Sequence, residues 1–262
     1  NVVPGKYPET PFSYLLENDK GTFKDITSTA GKELKQYGII NDAIFTDIDN
    51  DKDPDLVIAG EWIPITVFKN NNGVFTKSPN ETIETKTGWW NSLLAHDFDN
   101  DGDLDLIAGN FGTNNKFHPS EKKPLHVYGK DFDKNGSYDM VLSKIYKGKL
   151  VPVRGKECST EQNPFVSEKI KTYKEFAQSE LTDIYGKEDI ENAYHLKATY
   201  FKTAYLENDG SGRFTIKELD IKTQLGPTFA MIAKDINNDG HMDIIGTGNE
   251  FNAEVETIRY DA

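Results

Sequence analysis

Apolar and polar residues follow one another in short runs along most of the chain, and turn-forming residues separate these runs. Three segments share one pattern of strand, Asn/Asp/Gly turn and second strand: YLLENDKGTFKDI (14–26), VFKNNNGVFTK (67–77) and YLENDGSGRFTIK (205–217). A turn of this composition between two β-prone runs predicts a hairpin. The pattern therefore predicts an all-β fold.

A second pattern recurs four times and alternates acidic and other residues. It is D-x-[DN]-x-[DN]-x-x-x-D followed by an apolar run, and it begins at Asp47, Asp97, Asp131 and Asp235. Together with the hairpins it defines units of about 50 residues and four strands, which is typical of a propeller blade. We expect a single β-propeller segment over residues 1–262 with about four blades.

The third unit departs from the repeat over residues 155–200. Within it, SEKIKTYKEFAQSEL has apolar residues at helical spacing, and Ser167 is placed to cap the helix. KEDIENAYHLKA predicts a second, weaker helix. These segments are expected to form a helical insertion packed on the sheet.

The spacing of the acidic loops suits a hard cation. Carboxylates or amides at positions 1, 3, 5 and 9, with a backbone carbonyl at position 7, can converge on Ca²⁺, which accepts about six to eight oxygens. Up to four calcium ions are predicted. The candidate metal residues are Asp47, Asp49, Asp51, Asp53, Asp55, Asp97, Asp99, Asp101, Asp103, Asp105, Asp131, Asp133, Asn135, Ser137, Asp139, Asp235, Asn237, Asp239, His241 and Asp243.

Position 6 of each loop needs the left-handed backbone of a sharp turn, which glycine adopts readily. Gly102, Gly136 and Gly240 occupy it, whereas the first loop has Lys52. An EF-hand would need a glutamate at position 12 and flanking helices, but position 12 is apolar or glycine and β-prone residues follow every loop. The alternative is a set of solvated acidic turns without metal, because Asp and Asn favour turns.

These motifs resemble a known group. DFDNDGDLDLIAGN and DINNDGHMDIIGTGN are similar to the FG-GAP or VCBS repeats of integrin-α-type β-propellers. NDKGTFKDIT, GWWNSLLAHDFDNDGDLDL, VRGKECSTEQNPF and LTDIYG resemble the bacterial relatives of cartilage acidic protein, the ASPIC/UnbV-associated group. The resemblance implies calcium ligands in the loops and a seven-bladed propeller, of which this chain would be part. It also implies a secreted, periplasmic or outer-membrane-surface location.

The composition of the chain limits the classes of partner and of site that it can have. The chain has 30 basic and 43 acidic residues and a net charge of −13, which disfavours nucleic acid as a partner. No apolar run approaches the roughly 20 residues that a membrane span needs. The N-terminus NVVPGKYPETPF has neither the basic start nor the apolar centre of a signal peptide. The lone Cys158 excludes an internal disulfide and a CxxC site.

Motifs of common enzymes are missing from the sequence, including GxSxG, the P-loop, HExxH and GxGxxG. We therefore expect a non-catalytic binding or adhesion module on a calcium-stabilised scaffold. The alternative is the propeller part of a glycan-processing enzyme, because paired carboxylates are recognised only by their spatial separation.

A ligand-binding rim is predicted at the strand ends remote from the acidic loops. Aromatic and amide side chains grouped there would suit a protein or carbohydrate ligand. The alternative is that the tryptophans fill space between blades. The candidate rim residues are Trp62, Trp89, Trp90, Asn110, Phe111, Asn249 and Glu250.

Overall fold

The structure is a computed structural model that describes residues 5–250. Within that range the chain divides into two compact units. The larger unit comprises residues 12–118 and 200–250, and the smaller unit comprises residues 5–11 and 119–199. In chain order, most of the smaller unit therefore interrupts the larger one.

Strands form most of the regular structure between residues 5 and 250. In chain order they are β1 (Leu16–Asp19), β2 (Thr22–Asp25), β3 (Ile39–Thr46), β4 (Asp55–Ile63), β5 (Thr66–Asn71), β6 (Val74–Ser78), β7 (Gly88–Trp89), β8 (Ser92–His96), β9 (Asp105–Gly109), β10 (Leu125–Lys130), β11 (Asp139–Tyr146), β12 (Lys149–Pro152), β13 (Tyr194–Ala198), β14 (Ala204–Asn208), β15 (Phe214–Glu218), β16 (Ala230–Lys234) and β17 (Asp243–Thr247).

The helices of the described range are short. They are α1 (Thr27–Ala30), α2 (Glu81–Glu84), α3 (Lys156–Gln162), α4 (Phe165–Lys169), α5 (Tyr173–Gln178), α6 (Leu181–Tyr185) and α7 (Lys187–Glu191), with 3-10 turns at Lys32–Leu34 and Ile221–Gln224. Over residues 5–250, none has the length and apolar character that crossing a membrane would require.

Antiparallel pairing builds the sheets of the larger unit. One sheet has the order β3-β4-β5-β6, with β7 added to β4, and another has the order β15-β14-β9-β8. The hairpins β1–β2 and β16–β17 each form a two-stranded sheet. The prediction of an all-β chain with antiparallel sheets is confirmed, whereas the number of blades stays a prediction.

The three predicted hairpins are confirmed as β1–β2, β5–β6 and β14–β15. In the first two, the turn has consecutive left-handed residues, Lys20–Gly21 and Asn72–Gly73. Two positive φ values in succession match the right-handed twist of the flanking strands. The turn residues therefore set the register of these hairpins.

Each acidic loop joins two antiparallel strands, as predicted. The pairs are β3–β4, β8–β9, β10–β11 and β16–β17. The ninth residue of each loop is the first residue of the second strand and pairs with the last residue of the strand before, as Asp105 does with His96. This pairing places the loop at the very end of its hairpin.

The core of the larger unit lies between its two large sheets. β4 is buried along almost its whole length, which fits its largely apolar sequence. Val57, Leu106, Leu206 and Trp90 belong to one buried cluster. This core holds the strands from which the first two acidic loops project.

Helices α3 to α7 of the smaller unit lie within the predicted helical insertion at 155–200. The sheet of this unit has the order β12-β11-β10-β13, so the strands around the Asp131 loop pair with β12 and β13. Helices α4, α6 and α7 contribute to a buried cluster with Tyr128 and Val141 of this sheet. The compact unit extends beyond this insertion to residues 119–199, because the helices and the third acidic loop share one core.

The helices observed in this region differ from the predicted ones in their boundaries and caps. The segment expected as one helix is divided into α4, α5 and α6, and Ser167 lies inside α4 rather than at a cap. Thr172 caps α5 instead, accepting a hydrogen bond from the Glu175 N–H at 3.1 Å. The second predicted helix ends at Glu191, because Tyr194–Ala198 pairs with β10 as a strand.

Replacing Trp90 tests the core of the larger unit. Its side chain is 1% exposed, stacks on Tyr200 at 5.7 Å and donates its indole N–H to the Lys86 carbonyl. Trp90→Ala should lower the free energy of unfolding by about 3–5 kcal/mol because it leaves a large cavity. Urea unfolding followed by circular dichroism measures this loss. Phe23→Ala is the control, because the Phe23 ring is 64% exposed; it should lower the free energy of unfolding by less than about 0.5 kcal/mol. Equal losses for the two variants would contradict the assignment of Trp90 to the core.

Candidate metal centres

The four acidic loops share an unusual backbone conformation at two positions. Position 4 has a left-handed φ in every loop: Asn50 (58°), Asn100 (64°), Lys134 (59°) and Asn238 (60°). Position 6 does too: Lys52 (76°), Gly102 (97°), Gly136 (88°) and Gly240 (87°). The sequence predicted the turn at position 6 alone, and the first loop makes that turn with a lysine.

The first aspartate of each loop closes it by accepting two backbone N–H groups. Asp97 accepts the N–H of Asp101 at 3.2 Å and that of Gly102 at 3.1 Å. Asp47, Asp131 and Asp235 accept the equivalent pairs of N–H groups in their own loops. Since a carboxylate oxygen has two lone-pair sites, each can still face a cation.

The fifth residue of each loop fixes the peptide that leads to position 7. Asp101 accepts the Asp103 N–H at 3.1 Å, and Asp51 accepts that of Asp53 at 2.8 Å. Asn135 and Asp239 do the same for Ser137 and His241. In the fourth loop, the His241 N–H and the Asn237 side chain lower the pKa of Asp239.

In the first two loops the ninth residue is a buried carboxylate with both oxygens bonded. Asp105 is fully buried; Oδ2 accepts the Phe98 N–H at 3.2 Å and the Tyr205 hydroxyl at 2.7 Å, and Oδ1 accepts the Asn208 N–H at 2.9 Å. Asp55 is held in the same way by the N–H groups of Ile48 and Asn70. Burial raises the pKa of Asp55 and of Asp139. These aspartates join each loop to its sheet.

Carboxylate oxygens converge in three loops. Three ligand atoms lie within 4.8 Å of one another in each of the groups Asp47–Asp49–Asp55, Asp97–Asp99–Asp101 and Asp131–Asp133–Asp139. No such group forms in the fourth loop among the residues described, where Asn237 supplies an amide at position 3. Clusters of this kind are the hard, oxygen-only donor sets that Ca²⁺ prefers.

The local electrostatics favour a cation. Burial and the charges of Asp101, Asp105, Asp99 and Asp97 raise the pKa of Asp103 to about 6. The pKa of Asp99 is also raised, by desolvation and by Asp105 and Asp101. Asp49 keeps one ion pair, to Lys69 at 2.8 Å, while its other oxygen is buried without a hydrogen-bond partner. Such an oxygen fits a metal ligand, because an unpartnered buried carboxylate oxygen is otherwise costly.

Two asparagines that the sequence analysis did not single out anchor the loops of the larger unit. Asn70 and Asn208 each donate the backbone N–H to the ninth aspartate of a loop. Each also donates its side-chain amide to the carbonyl of position 8, from Asn70 to Pro54 at 3.1 Å and from Asn208 to Leu104 at 3.1 Å. The signal was present, since every predicted hairpin has an asparagine before its turn.

The comparisons with known proteins agree with the loop motif. Residues 47–108 match the family model of an FG-GAP-like repeat, a segment that contains the first two acidic loops. Neither the curated proteins nor the solved structures gave a match. The resemblance to FG-GAP repeats is therefore supported over this segment, and the resemblance to the ASPIC/UnbV-associated group stays a prediction.

Two residues of the predicted ligand rim are core residues. Trp62 is 3% exposed and Trp90 is 1% exposed, so neither ring can stack on a ligand. Trp62 lies at a bulge of β4 with a φ of 65°. Asn110 is also fully buried, and it bonds the N–H groups of Trp89 and Phe111 rather than solvent. The prediction that Trp62, Trp90 and Asn110 belong to a ligand-binding rim is therefore wrong, because all three are buried.

Trp89 is half-buried within an aromatic cluster. Its ring lies 4.7 Å from Phe201, 4.9 Å from Phe111, 5.3 Å from Trp62 and 5.9 Å from Phe117, measured between centroids. Phe111 is half-buried as well. Asn249 and Glu250 follow β17, where Asn249 is exposed and Glu250 is half-buried. The accessible part of the predicted rim therefore reduces to Trp89, Phe111 and these two polar residues.

Exchanging Lys52 tests the shared loop conformation. A side chain in the left-handed region costs about 1–2 kcal/mol relative to the usual helix hand, and glycine avoids most of this cost. Lys52→Gly should therefore raise the free energy of unfolding by about 1 kcal/mol in urea titrations. Lys52→Ala keeps the Cβ atom and serves as the control.

Gly102→Ala supplies the opposite test. No atom lies within 4 Å of a Cβ placed on Gly102, so the loss of stability reflects its φ alone. We expect a decrease of about 1 kcal/mol. A stabilising alanine at Gly102, or a destabilising glycine at Lys52, would contradict a common conformation.

Proposed function

We propose that the chain is a calcium-binding β-propeller module with a non-catalytic role in binding or adhesion, in a secreted or cell-surface protein. One observation carries the proposal: the same hydrogen-bonded acidic loop occurs four times, and in three copies its carboxylate oxygens converge. The FG-GAP-like match over residues 47–108 supports the same family of modules.

The residues fit calcium by donor type and by number. In each loop the side chains of positions 1, 3, 5 and 9 and the carbonyl of position 7 would hold the ion; in the second loop these are Asp97, Asp99, Asp101, Asp105 and the carbonyl of Asp103. Bound calcium would neutralise carboxylates that otherwise repel one another. The calcium ion would have a structural role, because it would hold together the ends of the two strands that flank each loop.

A propeller arrangement is supported by contacts between the strands that lead into the first, second and fourth acidic loops. The Leu93 N–H of β8 bonds to Asp42 of β3 at 2.7 Å, and the Asn41 side chain bonds to the Trp90 carbonyl at 3.0 Å. The Ser92 hydroxyl donates to the Thr228 carbonyl, just before β16, at 2.8 Å. Such strands side by side are what a set of blades around one axis requires.

The ligand would be a protein or a carbohydrate that contacts the accessible part of the rim. Trp89 and Phe111 offer partly exposed aromatic rings, and Asn249 and Glu250 lie on the surface at the end of β17. Aromatic faces beside polar side chains suit such ligands. A glycan and peptide screen with calcium present tests this surface, with Trp89→Leu as the variant. Binding that the variant leaves unchanged would place recognition elsewhere.

Calcium removal tests the metal assignment. A ligand that binds only the folded state stabilises it by RT ln(1 + [L]/Kd), about 2.7 kcal/mol per site at one hundred times Kd. The melting temperature should therefore fall on chelation and recover with calcium, and magnesium at equal concentration should restore it less. A melting temperature that does not change on chelation would overturn the calcium proposal.

The second loop should carry more of this effect than the fourth. It has four carboxylates at positions 1, 3, 5 and 9, whereas the fourth has three. Asp97→Ala should therefore remove more of the calcium-dependent rise in melting temperature than the matched variant Asp235→Ala, since both lie in the larger unit. The reverse order would show that carboxylate number does not set the affinities.

A further inference from the structure

His126 and His195 form a side-chain pair in the smaller unit, near the end of β10 that is remote from the third acidic loop. His126 lies on β10 and His195 on the neighbouring strand β13. The distance from His126 Nδ1 to His195 Nε2 is 2.9 Å. The ring planes differ by 13° and the centroids are 5.2 Å apart, so the rings meet edge to edge around one N–H···N hydrogen bond.

Neighbouring residues fix this pair. Tyr128 lies directly opposite His195 in the register, and the two rings stack at 4.3 Å with planes only 5° apart. Tyr128 itself is buried. His195 is exposed, and β13 is the end strand of the sheet, so the pair is open to solvent on one side.

Both rings are neutral at neutral pH. Desolvation by neighbouring side chains, the neighbouring imidazole and Lys197 lower the pKa of His126 to about 4; the same desolvation and Lys197 lower the pKa of His195. Neutral imidazole is the form that binds metal ions. One of the two facing nitrogens carries the shared proton, and the other presents a lone pair.

We propose that His126 and His195 form a bidentate site for a divalent transition-metal ion of the Cu²⁺ or Ni²⁺ type. With metal–nitrogen bonds of about 2.0–2.1 Å, nitrogens 2.9 Å apart subtend about 90° at the metal. That is the angle between adjacent ligands in square-planar or tetragonal coordination, which Cu²⁺ and Ni²⁺ favour with nitrogen ligands. A tetrahedral zinc ion would need the nitrogens about 3.3–3.4 Å apart.

Binding replaces the hydrogen bond and needs no net loss of protons. The ring that donates the shared proton changes tautomer, so that its other nitrogen carries the proton and both facing nitrogens offer lone pairs. Changes in the side-chain torsion angles then direct both lone pairs toward the metal. Water supplies the remaining ligands.

The charge of Lys197 should affect the metal affinity of this site. It lies directly opposite His126 in the register, so its ammonium group repels a bound cation. The Lys197 side chain is exposed and can turn into solvent. Removing its charge should therefore tighten metal binding, an effect that binding elsewhere on the surface would not show.

Calorimetric titration of the full chain with Ni²⁺ tests the site at pH 7.5 in excess Ca²⁺, which occupies any oxygen-only site. We expect one Ni²⁺ per chain, at least tenfold weaker binding for His126→Gln and for His195→Gln, and severalfold tighter binding for Lys197→Gln. His118→Gln is the control, because this exposed histidine lies in the larger unit. Circular dichroism melting confirms that each variant is folded.

Electron paramagnetic resonance with Cu²⁺ provides a second measurement. Coupling to two nitrogens is expected for the unaltered chain, and this pattern should be lost in the double variant His126→Gln/His195→Gln. Unchanged Ni²⁺ binding in either folded single variant, or the same spectrum in the double variant, would overturn the proposal. The test is independent of the calcium proposal, because these ligands are nitrogens of the smaller unit.

Discussion

Burying a carboxylate at the start of a strand is costly unless its oxygens accept hydrogen bonds, and this constraint organises the first two acidic loops. The ninth aspartate of the first two loops meets it in one way. One oxygen accepts the N–H of loop position 2, and the other accepts the N–H of an asparagine in the last two residues of a neighbouring strand. The loop, its own hairpin and the next hairpin are thereby joined at one point. An unpaired charge there would cost several kcal/mol.

The same constraint explains how an acidic chain can concentrate its charge. Each loop directs backbone N–H groups toward its first and fifth side chains, which offsets part of the repulsion between carboxylates. The offset is incomplete, since the pKa of Asp103 is raised to about 6 and one oxygen of Asp49 has no partner. Lys69 supplies only one of the missing positive charges, through its ion pair with Asp49. A divalent cation in the loops would supply the remainder, which links stability to the proposed binding role.

Much of this organisation could be predicted from the sequence because it depends on local chemistry. The Asn/Gly turns specified three hairpins, and the alternating aspartates specified four strand–loop–strand units. The candidate ligands followed from spacing alone, since residues 1, 3, 5 and 9 of a tight loop are close whatever surrounds them. The left-handed turn at Lys52 was the local exception, because hydrogen bonds to Asp47 hold a conformation that the lysine side chain disfavours.

What the sequence determined by itself was therefore the set of turns, the strand pairs next to them and the acidic donor sets. Tertiary structure decided where the third loop belongs, because β10 and β11 share a sheet with β13, which is distant in sequence and resembled a helix. It also determined how deeply the aromatic residues are buried. Trp62 and Trp90 lie in the core and Trp89 is half-buried, although all three are tryptophans near strand ends in the sequence. The pairing of His126 with His195 arises in the same way, since 69 residues separate them. Burial and long-range strand pairing depend on the sum of many contacts across the fold, and no local pattern records that sum.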